Sequence, residues 1–426
     1  MGLKVLVVGG GGREHALCRA LSDSPEVDRV YCAPGNAGIS KEYECVGIRA
    51  EDVDGLARWA SRNAVDLTVV GPEAPLIAGI ADRFRGEGLV VFGPTGDAAM
   101  IEGSKAFAKE LMDECGVPTA RHRVFRSPVQ ASEYVRKHGA PVVVKADGLA
   151  AGKGVYVCGT VEEASRAIEE IMVMRVFGEA GSRVVIEEFL EGPEVSMMAF
   201  VDGEDVLLME PAQDHKRAYD GDRGPNTGGM GSYSPVPFVT AEIQRRIRDE
   251  VFLPVVKGLA KRGIRYTGML YAGLMLTSSG PMVLEFNARF GDPETQVVLP
   301  RLKTSLAKVV TAAVEGRLAS IGGLEWDRRA AVCVVMASKG YPGAYEKGKP
   351  ISGLDEVAAM QDVRVFHAGT SIGAGGAVVT SGGRVLGVTA LGEDVRSAAD
   401  RAYEAVSHIR FEGCHYRKDI AQRVTA

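Results

Sequence analysis

Short apolar runs alternate with amphipathic stretches over the first hundred residues. The apolar runs predict strands at 3–8, 27–32, 67–70 and 89–92. Between them, 14–21 and 52–63 have the apolar spacing of helices. Strands that alternate with helices indicate a parallel, doubly wound sheet, and such sheets bind ligands at the carboxyl ends of their strands. Glycines directly follow three of the four runs, so we expect a crevice lined by backbone.

The pattern changes near Ser104. Helical spacing at 105–114 is followed by an α+β pattern, with strand-like runs at 121–125, 141–145, 155–158 and 182–189 and a helix at 161–172. After residue 195 come further strands, a long polar segment and a helical pattern at 241–261. The last hundred residues return to strand-like runs at 330–337, 363–368, 377–380 and 384–390, before one helix at 397–409.

These changes divide the 426 residues into four parts. We place the parts at 1–103, 104–194, 195–325 and 326–426, with a small α+β lid at about 121–190. A length of this size suggests roughly three domains, or four small ones. The predicted class is therefore a multidomain α/β and α+β protein, with a doubly wound parallel sheet first and a small β-rich domain last.

Composition and charge exclude several classes of protein. Hydrophobic residues make up 46% and charged residues 25%, and the formal net charge is −5, whereas a nucleic-acid or membrane-surface binder needs a basic excess. No apolar run approaches the ~18 residues of a membrane span, and the start of the chain has no signal-peptide pattern. Seven scattered cysteines without a CxxC pair indicate free thiols in a reducing compartment. We therefore expect a cytoplasmic protein that binds neither nucleic acid nor membrane.

A run of four glycines, followed by Arg13, links the first strand to the first helix. Exposed N–H groups and the helix dipole make this a suitable place for an anion, and Arg13 could pair with a phosphate. A dinucleotide fingerprint needs a third glycine where this chain has Glu14. We favour a phosphorylated small molecule here. A nicotinamide cofactor, or a tight turn beside a surface arginine, remains the alternative.

Lys145 ends an apolar run, where a charge is costly unless it meets a counter-charge. The glycine-rich turn after it, which contains Gly152, Lys153 and Gly154, could cradle phosphates with its N–H groups. It is not a Walker A loop, which has four residues between its glycines and Ser or Thr after the lysine. A hairpin turn with a solvated lysine is the alternative.

Glu187 and Glu188 are adjacent in a predicted strand, so their side chains point to opposite faces and only one needs to be solvated. Taken alone, the acidic stretch that they begin fits a linker nearly as well as a ligand site.

A second polar strand follows at 282–289. Strand alternation places Glu285, Asn287 and Arg289 on one face. Carboxylate and amide oxygens suit Mg²⁺, whose remaining ligands are waters and phosphates, and an arginine suits a phosphoryl group or a carboxylate. A structural ion-pair cluster is the alternative.

The segment 213–234 is long, polar and without apolar period, which is typical of a lid or a binding loop. His215 in it suggests acid–base chemistry, but we favour a solvated side chain. No Ser-His-Asp or Cys-His arrangement is readable, so covalent catalysis by the protein is not expected.

In this order, these pieces resemble an ATP-grasp enzyme. Within that superfamily the motifs VVGGGGREHA, PGNAG, GPEAPL, KADGLAAGKGV, DHKRA, PNTGGMG and NARFGDPETQ are similar to those of the glycinamide ribonucleotide synthetase family (phosphoribosylamine–glycine ligases). The resemblance covers nearly the whole chain. It implies an ATP-grasp module in the middle of the chain and an ATP-dependent ligase that joins glycine to 5-phosphoribosylamine through glycyl phosphate in purine synthesis. Such chemistry needs aligned reactants and excluded water, but no protein nucleophile.

The resemblance also implies roles for individual residues. Lys145 and Arg289 would be catalytic, and Glu285 and Asn287 would hold Mg²⁺, with Mn²⁺ as a substitute. The ATP site would comprise Lys105, Lys145, Gly152, Lys153, Gly154, Glu187, Leu190 and Glu194. The N-terminal crevice, with Gly11, Gly12, Arg13, Asn36 and Glu73, would take the ribose phosphate. Glycine and the reacting phosphate would lie near Asp214, Lys216, Arg289 and Asp292.

One departure concerns the metal. Many ATP-grasp enzymes carry another acidic ligand on the strand before Glu285, whereas residues 269–276 contain no acid. The site then has fewer protein ligands, or a carboxylate comes from elsewhere. Another carboxylate–amine ligase, a biotin-carboxylase-like enzyme and a non-catalytic nucleotide-binding regulator are the alternative functions. A monomer is the expected state.

Overall fold

The computed structural model describes residues 2–150 and 153–425. The first part is a parallel sheet with the strand order β3-β2-β1-β4-β5. Its strands are β1 (Leu3–Gly9), β2 (Val27–Pro34), β3 (Glu44–Cys45), β4 (Leu67–Val70) and β5 (Val91–Phe92). Its helices are α1 (Gly12–Ser22), α2 (Ile39–Glu42), α3 (Val53–Arg62), α4 (Glu73–Ile77), α5 (Ile80–Gly86) and α6 (Gly96–Gly103). The doubly wound prediction is confirmed, and the order reverses between β1 and β4, where such sheets bind ligands.

The next part contains a small antiparallel sheet with the order β6-β9-β7-β8. Its elements are α7 (Lys105–Cys115), β6 (His122–Phe125), α8 (Pro128–His138), β7 (Val142–Ala146), β8 (Val155–Cys158), α9 (Val161–Ile168) and β9 (Val184–Glu188). A π-helical turn at Glu169–Val173 extends α9 close to the predicted end of that helix. Phe125, Val144, Ile168 and Ile186 belong to a hydrophobic cluster separate from the rest of the core. The lid therefore has a core of its own.

A second antiparallel sheet has the order β11-β10-β16-β17. The strands of this part are β10 (Glu194–Asp202), β11 (Val206–Leu208), β12 (Gln213–Asp214), β13 (Arg217–Tyr219), β14 (Arg223–Asn226), β15 (Gly231–Ser234), β16 (Thr267–Thr277) and β17 (Gly280–Asn287). Its helices are α10 (Ala241–Ile247), α11 (Leu253–Lys261), α12 (Thr295–Val298) and α13 (Leu306–Val314). A π-helical turn at Arg248–Phe252 joins α10 to α11, so the predicted long helix is continuous.

The last part contributes three strands to a five-stranded sheet with the order β12-β15-β18-β22-β19. The remaining elements are β18 (Ala330–Ala337), α14 (Leu354–Ala358), β19 (Val363–His367), β20 (Thr370–Ile372), β21 (Val378–Thr380), β22 (Arg384–Gly392), α15 (Val395–His408) and α16 (Gln422–Thr425). Because β12 and β15 pair with this sheet, residues before and after position 326 share one sheet. No helix among the described residues has the length and apolar character of a membrane span.

The interpretation of 213–234 as a loop around a solvated His215 is wrong. Most of the segment is β structure: β12 and β15 join the C-terminal sheet, and β13 and β14 form a two-stranded hairpin. His215 is only 5% exposed. Several buried residues of the segment are themselves polar, among them Gln213, Thr227 and Ser232, so its burial does not appear as an apolar period.

Three phenylalanines join the first sheet to the second. Phe92 in β5, Phe200 in β10 and Phe290 after β17 are each 2% exposed or less, and their ring centroids lie 6.0–6.3 Å apart. Offset and edge-to-face contacts at this distance add to the energy of apolar burial. This cluster fixes the end of β17 against the first domain.

Replacing Phe200 with alanine should lower the free energy of unfolding by about 3–5 kcal/mol, because a large buried ring leaves a cavity. Phe189→Ala is the matched control, since Phe189 is 39% exposed, and it should cost less than about 1 kcal/mol. Denaturant titrations of both variants make the measurement. Equal losses would contradict the assigned role of the cluster.

Candidate active site

The glycine run holds its shape through Glu14. The Gly11 N–H donates to Glu14 Oε2 at 2.6 Å, and Arg13 Nε donates to Glu14 Oε1 at 2.6 Å. Gly9 has a φ of +127°, and a Cβ there would lie 2.5 Å from the Glu14 side chain. A Cβ on Gly10 would lie 2.4 Å from the Gly35 carbonyl oxygen. Gly9 and Gly10, at the end of β1, therefore have no room for a side chain.

The side chain of Asn36 ties three segments together. Its Nδ2 donates to Gly10 O at 2.9 Å and to His367 O at 2.7 Å, and its Oδ1 accepts from the N–H groups of Gly38 and Ile39. Both amide donors and the amide oxygen are thus engaged. Asn36 shapes the crevice wall from β2 to the C-terminal part.

Arg13 and Arg289 meet at one carbonyl group. Their Nη1 atoms both donate to Phe290 O, at 3.3 and 3.2 Å. Arg289 also pairs with Glu73 at 3.1 Å and with Glu102 at 3.0 Å. Burial opposes ionisation of Glu73, but Arg289 and Arg13 hold its pKa at about 2. The glycine run and the segment after β17 are therefore joined by one network of charged groups.

Gly12 and Asp292 also lie at this junction. A Cβ on Gly12 would lie 2.8 Å from Gln296 Nε2, which donates to Asp292 Oδ1 at 2.7 Å. A Cβ on Gly11 would lie 3.9 Å from Asp292 Oδ2. The structure thus brings the glycine run and the segment after β17 to the same place.

Lys145 in β7 meets the counter-charge that its buried position requires. Its Nζ lies 2.9 Å from Glu187 Oε1 and donates to Leu284 O at 2.9 Å. Glu187 is 2% exposed and Glu188 is partly exposed, which confirms that the two point to opposite faces. Sequence reasoning missed Lys109, whose Nζ lies 3.1 Å from Glu187 Oε2. Burial lowers the pKa of Lys109 to about 8, although Glu187 acts in the opposite direction.

A second carboxylate, Glu285, lies among three lysines. Lys216 Nζ is 3.3 Å from both Glu285 Oε1 and Glu194 Oε2. The charge of Lys216 lowers the pKa of Glu285 to about 2 against the effect of burial, and Lys145 and Lys105 add to the decrease. Lys105 Nζ donates to Gly148 O at 3.2 Å, at the start of the glycine-rich turn. Lys105, Lys145 and Lys216 thus converge on Glu285, and such a group of ammonium ions suits the phosphates of a polyanion.

The metal prediction rests on Glu285 and Asn287, two positions apart on β17. Among the residues that the structure describes, no group of three or more His, Cys, Asp or Glu side chains could hold a metal ion. Mg²⁺ commonly takes one or two protein oxygens and completes its shell with phosphates and water. An ionised Glu285 beside a polyanion pocket fits that kind of site. Glu194 is the further carboxylate that Lys216 links to Glu285.

The remaining predicted ATP residues lie around the lid. Lys153 Nζ donates to Pro342 O at 2.7 Å, so it contacts the C-terminal part. A Cβ on Gly154 would lie 2.6 Å from Ala150 Cβ, which restricts that position to glycine. Leu190 is half-buried between β9 and β10. Gly152 lies outside the described residues.

Sequence reasoning also missed Arg384, at the start of β22. Its Nη1 donates to Gly228 O at 2.6 Å and to Asp292 O at 2.8 Å, and its Nη2 donates to Asp292 Oδ2 at 2.8 Å. Burial raises the pKa of Asp292, but the charge of Arg384 prevails and lowers it. No signal in the sequence near Arg384 indicates this contact.

Asp214 and Glu294 form an acidic corner beside Lys216. Glu294 Oε1 accepts from Ser196 Oγ at 2.7 Å and Tyr271 Oη at 3.0 Å, whereas Asp214 Oδ1 is buried without a hydrogen-bond partner among the described residues. Burial and then the charge of Glu294 raise the pKa of Asp214 well above its usual range. The corner therefore favours a small cationic ligand group.

The fold and this site define an ATP-grasp enzyme: an N-terminal α/β domain, a lid over a lysine-rich pocket, and a polar strand that offers Glu285 and Asn287. Family models described as phosphoribosylglycinamide synthetase match the chain in three pieces, the N domain at residues 3–102, the ATP-grasp (A) domain at 103–295 and the C domain at 331–423. The chain belongs to the phosphoribosylglycinamide synthetase family.

Individual relatives agree with this assignment. The phosphoribosylamine–glycine ligase of Caldanaerobacter subterraneus subsp. tengcongensis is 52% identical over 419 residues, which cover 98% of this chain and 99% of that protein. The crystal structure of phosphoribosylamine–glycine ligase from Thermotoga maritima superposes with a TM-score of 0.84 at 34% identity, covering 98% and 100% of the two chains. The biotin carboxylase domain of Hydrogenobacter thermophilus 2-oxoglutarate carboxylase shares the fold, with a TM-score of 0.74 at 17% identity and coverage of 98% and 92%.

Glu187→Gln should lower the free energy of unfolding by about 3–5 kcal/mol, because it removes the shared counter-charge of two buried lysines. It should also weaken ATP binding, since Lys145 loses the group that positions it. Glu188→Gln is the matched control: Glu188 pairs with the exposed Arg121, and its loss should cost about 1 kcal/mol or less. Denaturant titration measures the free energy of unfolding of both variants, and calorimetry measures their affinity for ATP. Equal effects in the two variants would contradict the assignment.

Proposed function

We propose that this chain is an ATP-dependent ligase that joins glycine to 5-phosphoribosylamine and yields glycinamide ribonucleotide, ADP and phosphate. Membership of the family supports the proposal. The observation that carries it is the Phe290 carbonyl, which accepts from both Arg13 and Arg289 and so joins the glycine run to the segment that follows Glu285 and its lysines. In this proposal the sugar phosphate binds at the glycine run and the nucleoside triphosphate binds beside the lysines. The function places the chain in purine synthesis.

In the first step a glycine carboxylate oxygen attacks the γ-phosphorus of ATP, the bond to the β,γ-bridging oxygen breaks, and ADP leaves. Lys105 and Lys145 neutralise the phosphate oxygens, and Arg289 stabilises the charge on the transferring group. The part of the glycine-rich turn that contains Lys153 and Gly154 covers the phosphates in this proposal and keeps water out. Glu187, Leu190 and Glu194 form the adenosine side of this site, where Glu187 also holds Lys145 in place.

In the second step the amine of phosphoribosylamine attacks the carbonyl carbon of glycyl phosphate. The carbon–oxygen bond to phosphate breaks, phosphate leaves, and the amine loses a proton. Gly11, Gly12, Arg13, Asn36 and Glu73 form the crevice for the ribose phosphate in this proposal. Alignment of the two substrates is the main contribution of the protein, because no protein nucleophile is required.

Glycine lies between the two sites, next to Asp214, Lys216, Arg289 and Asp292. The unpartnered Asp214 Oδ1 supports this placement, because the ammonium of glycine can donate to it. Lys216 neutralises the carboxylate end. Without a ligand, the pKa of Asp214 is raised well above its usual range. A bound ammonium group would lower this pKa and favour the ionised carboxylate.

Glu285 and Asn287 would hold Mg²⁺, with Mn²⁺ as a substitute. When bound, the metal would neutralise negative charge on the ATP phosphates. The ionised state of Glu285 supports this role, because Mg²⁺ binds carboxylate oxygens.

All seven cysteines are free thiols, which fits the proposed location in the cytoplasm. We also propose that the protein is a monomer.

Other ATP-grasp chemistries remain competing hypotheses. The biotin carboxylase likeness concerns the fold alone, because the identity is low. A regulator that binds nucleotide without turnover would not need Glu285, Asn287 and Arg289 together. The test measures ADP release from Mg–ATP and glycine, with and without fresh phosphoribosylamine, and identifies the product by mass. Glycinamide ribonucleotide supports the proposal; release with a different carboxylate–amine pair, or ATP binding without release, overturns it.

Glu285→Gln should reduce kcat at least about 100-fold and raise the Mg²⁺ concentration needed for half-maximal rate, because the anionic metal ligand is lost. Phosphoribosylamine binding should remain. Glu250→Gln, at an exposed carboxylate paired with Arg246, is the control and should leave the kinetics unchanged. Full activity in Glu285→Gln would rule out the metal assignment.

Arg13→Met should raise the KM for phosphoribosylamine at least about tenfold, because a charged hydrogen bond to phosphate is lost, and should leave the KM for ATP within about twofold. Arg19→Met on the same helix is the matched control, because Arg19 pairs with Asp23 and Glu42 outside the crevice. Steady-state kinetics with each substrate varied gives both constants. An equal rise in the two constants would place the ribose phosphate elsewhere.

A further inference from the structure

The segment that carries Asp214 and Lys216 has two faces. Lys216 points into the pocket, where its Nζ meets Glu194 and Glu285. His215 between them is buried on the opposite side, as the alternation of extended chain requires. The backbone of Lys216 is fixed as well, since its carbonyl oxygen accepts from Thr227 N at 2.8 Å and Thr227 Oγ1 at 2.9 Å. The position of the Lys216 ammonium therefore depends on what holds the hairpin β13–β14 from behind.

His215 is one of the contacts behind the hairpin. Its Nδ1 lies 3.3 Å from Gly231 O, and its Nε2 lies 3.3 Å from the backbone nitrogen of Ala421. Burial, with the charge of Arg417, lowers the pKa of His215 to about 4, so the imidazole is neutral near pH 7. A neutral ring can donate from Nδ1 and accept at Nε2, which matches both contacts. His215 is therefore a neutral link between β12 and the C-terminal segment, by which we mean residues 415–423.

Arg417 is the central residue of that C-terminal segment. Its side chain is 1% exposed. Nη1 donates to Arg217 O at 3.2 Å and to Asp222 Oδ1 at 2.8 Å, while Nε and Nη2 donate to the two oxygens of Asp419 at 2.7 Å each. One guanidinium thus contacts β13 and the turn that joins it to β14, while Asp419 fixes the plane of the guanidinium. Removing a buried ionic partner of this kind leaves uncompensated charge.

Other contacts of the C-terminal segment reinforce this arrangement. His415 Nε2 lies 2.8 Å from Ala218 O, Lys418 N donates to Asp220 Oδ1 at 2.8 Å, and Gly221 N donates to Asp419 Oδ2 at 2.8 Å. The segment is itself anchored to α15 through Tyr403, whose hydroxyl donates to Arg417 O at 2.9 Å and accepts from Ile420 N at 3.0 Å. A continuous chain of hydrogen bonds therefore runs from α15 to the backbone next to Lys216.

We propose that Arg417 is a positioning residue for the ligase reaction, which holds the hairpin β13–β14 so that Lys216 meets Glu285 and the reacting carboxylate. This inference rests on the proposed function, because Lys216 is assigned there to glycine. Arg417 touches no substrate; it acts through Lys216. A displacement of about 1 Å at a group that aligns reactants can cost about 100-fold in rate.

The test is a double-mutant cycle with Arg417→Met and Lys216→Met. Arg417→Met alone should lower kcat at least about tenfold and leave the KM for phosphoribosylamine within about twofold, since the ribose-phosphate crevice is untouched. In the Lys216→Met background, Arg417→Met should change kcat by less than about twofold, because the group through which it acts is already absent. Losses that multiply would show that Arg417 acts independently of Lys216 and would overturn the proposal.

Arg329→Met is the matched control. Arg329 is bidentate to Asp327, two positions away in the sequence, and bonds the distant Asp362 at 2.9 Å, so it repeats the ion-pair pattern of Arg417 without a described contact to the hairpin. Its side chain is 39% exposed, so Arg329→Met should lose less stability than Arg417→Met, and kcat should stay within about twofold of the parent value. Arg417→Lys should recover only part of kcat, because an ammonium cannot reproduce the fork of bonds. A loss of kcat in Arg329→Met equal to that in Arg417→Met would reduce the effect to general destabilisation and overturn the proposal.

Hydrogen exchange separates this inference from the proposed function. Mass spectrometry without substrates follows the exchange of the amides of residues 215–227. These amides should exchange faster in Arg417→Met than in the parent chain, and their exchange rate in Arg329→Met should equal that of the parent chain. If the parent chain forms no glycinamide ribonucleotide, the proposed function fails, while exchange still decides whether Arg417 holds the hairpin. Unchanged exchange in Arg417→Met would overturn the inference whatever the activity.

Discussion

Neutralisation of buried ammonium groups is the constraint on which the centre of this molecule depends. Glu187 serves two lysines at once, from β7 and α7, and Glu285 lies among three, so each carboxylate joins elements that are distant in the chain. Charges removed from water must be paired where they lie. The same arrangement that closes the fold gathers three ammonium groups around Glu285, where the phosphates of a polyanion can bind. Stability and affinity for a polyanion have one physical source here.

The second principle of the architecture is that separate parts of the chain share single groups. The Phe290 carbonyl accepts from Arg13 of the first domain and from Arg289, which follows β17, and Asn36 bonds backbone on both sides of the crevice. Arg384 joins the C-terminal sheet to Asp292 in the same way. Each shared group fixes the distance between two parts of the proposed substrate site. A reaction that depends on the alignment of three substrates requires such fixed distances.

Much of this could be predicted from the sequence because it is local. Strands with apolar runs, the need of Lys145 for a counter-charge and the opposite faces of Glu187 and Glu188 follow from spacing alone. Lys109 lies four positions after Lys105 on α7, so helical spacing could have indicated it. His215 could not be read correctly, because it is buried by Arg417 and Ala421, some two hundred positions away. Arg384 and Arg417 were missed for the same reason: their roles depend on which distant segments meet.

The central claim is that the pocket activates a carboxylate by transferring a phosphoryl group to it. The direct test supplies glycine labelled with ¹⁸O in both carboxylate positions, together with Mg–ATP and phosphoribosylamine, and measures the isotope in the released phosphate. The account predicts one ¹⁸O atom in each phosphate and one in the product amide, because the oxygen that attacks phosphorus leaves with it. Phosphate without label, formed along with the product, would contradict it.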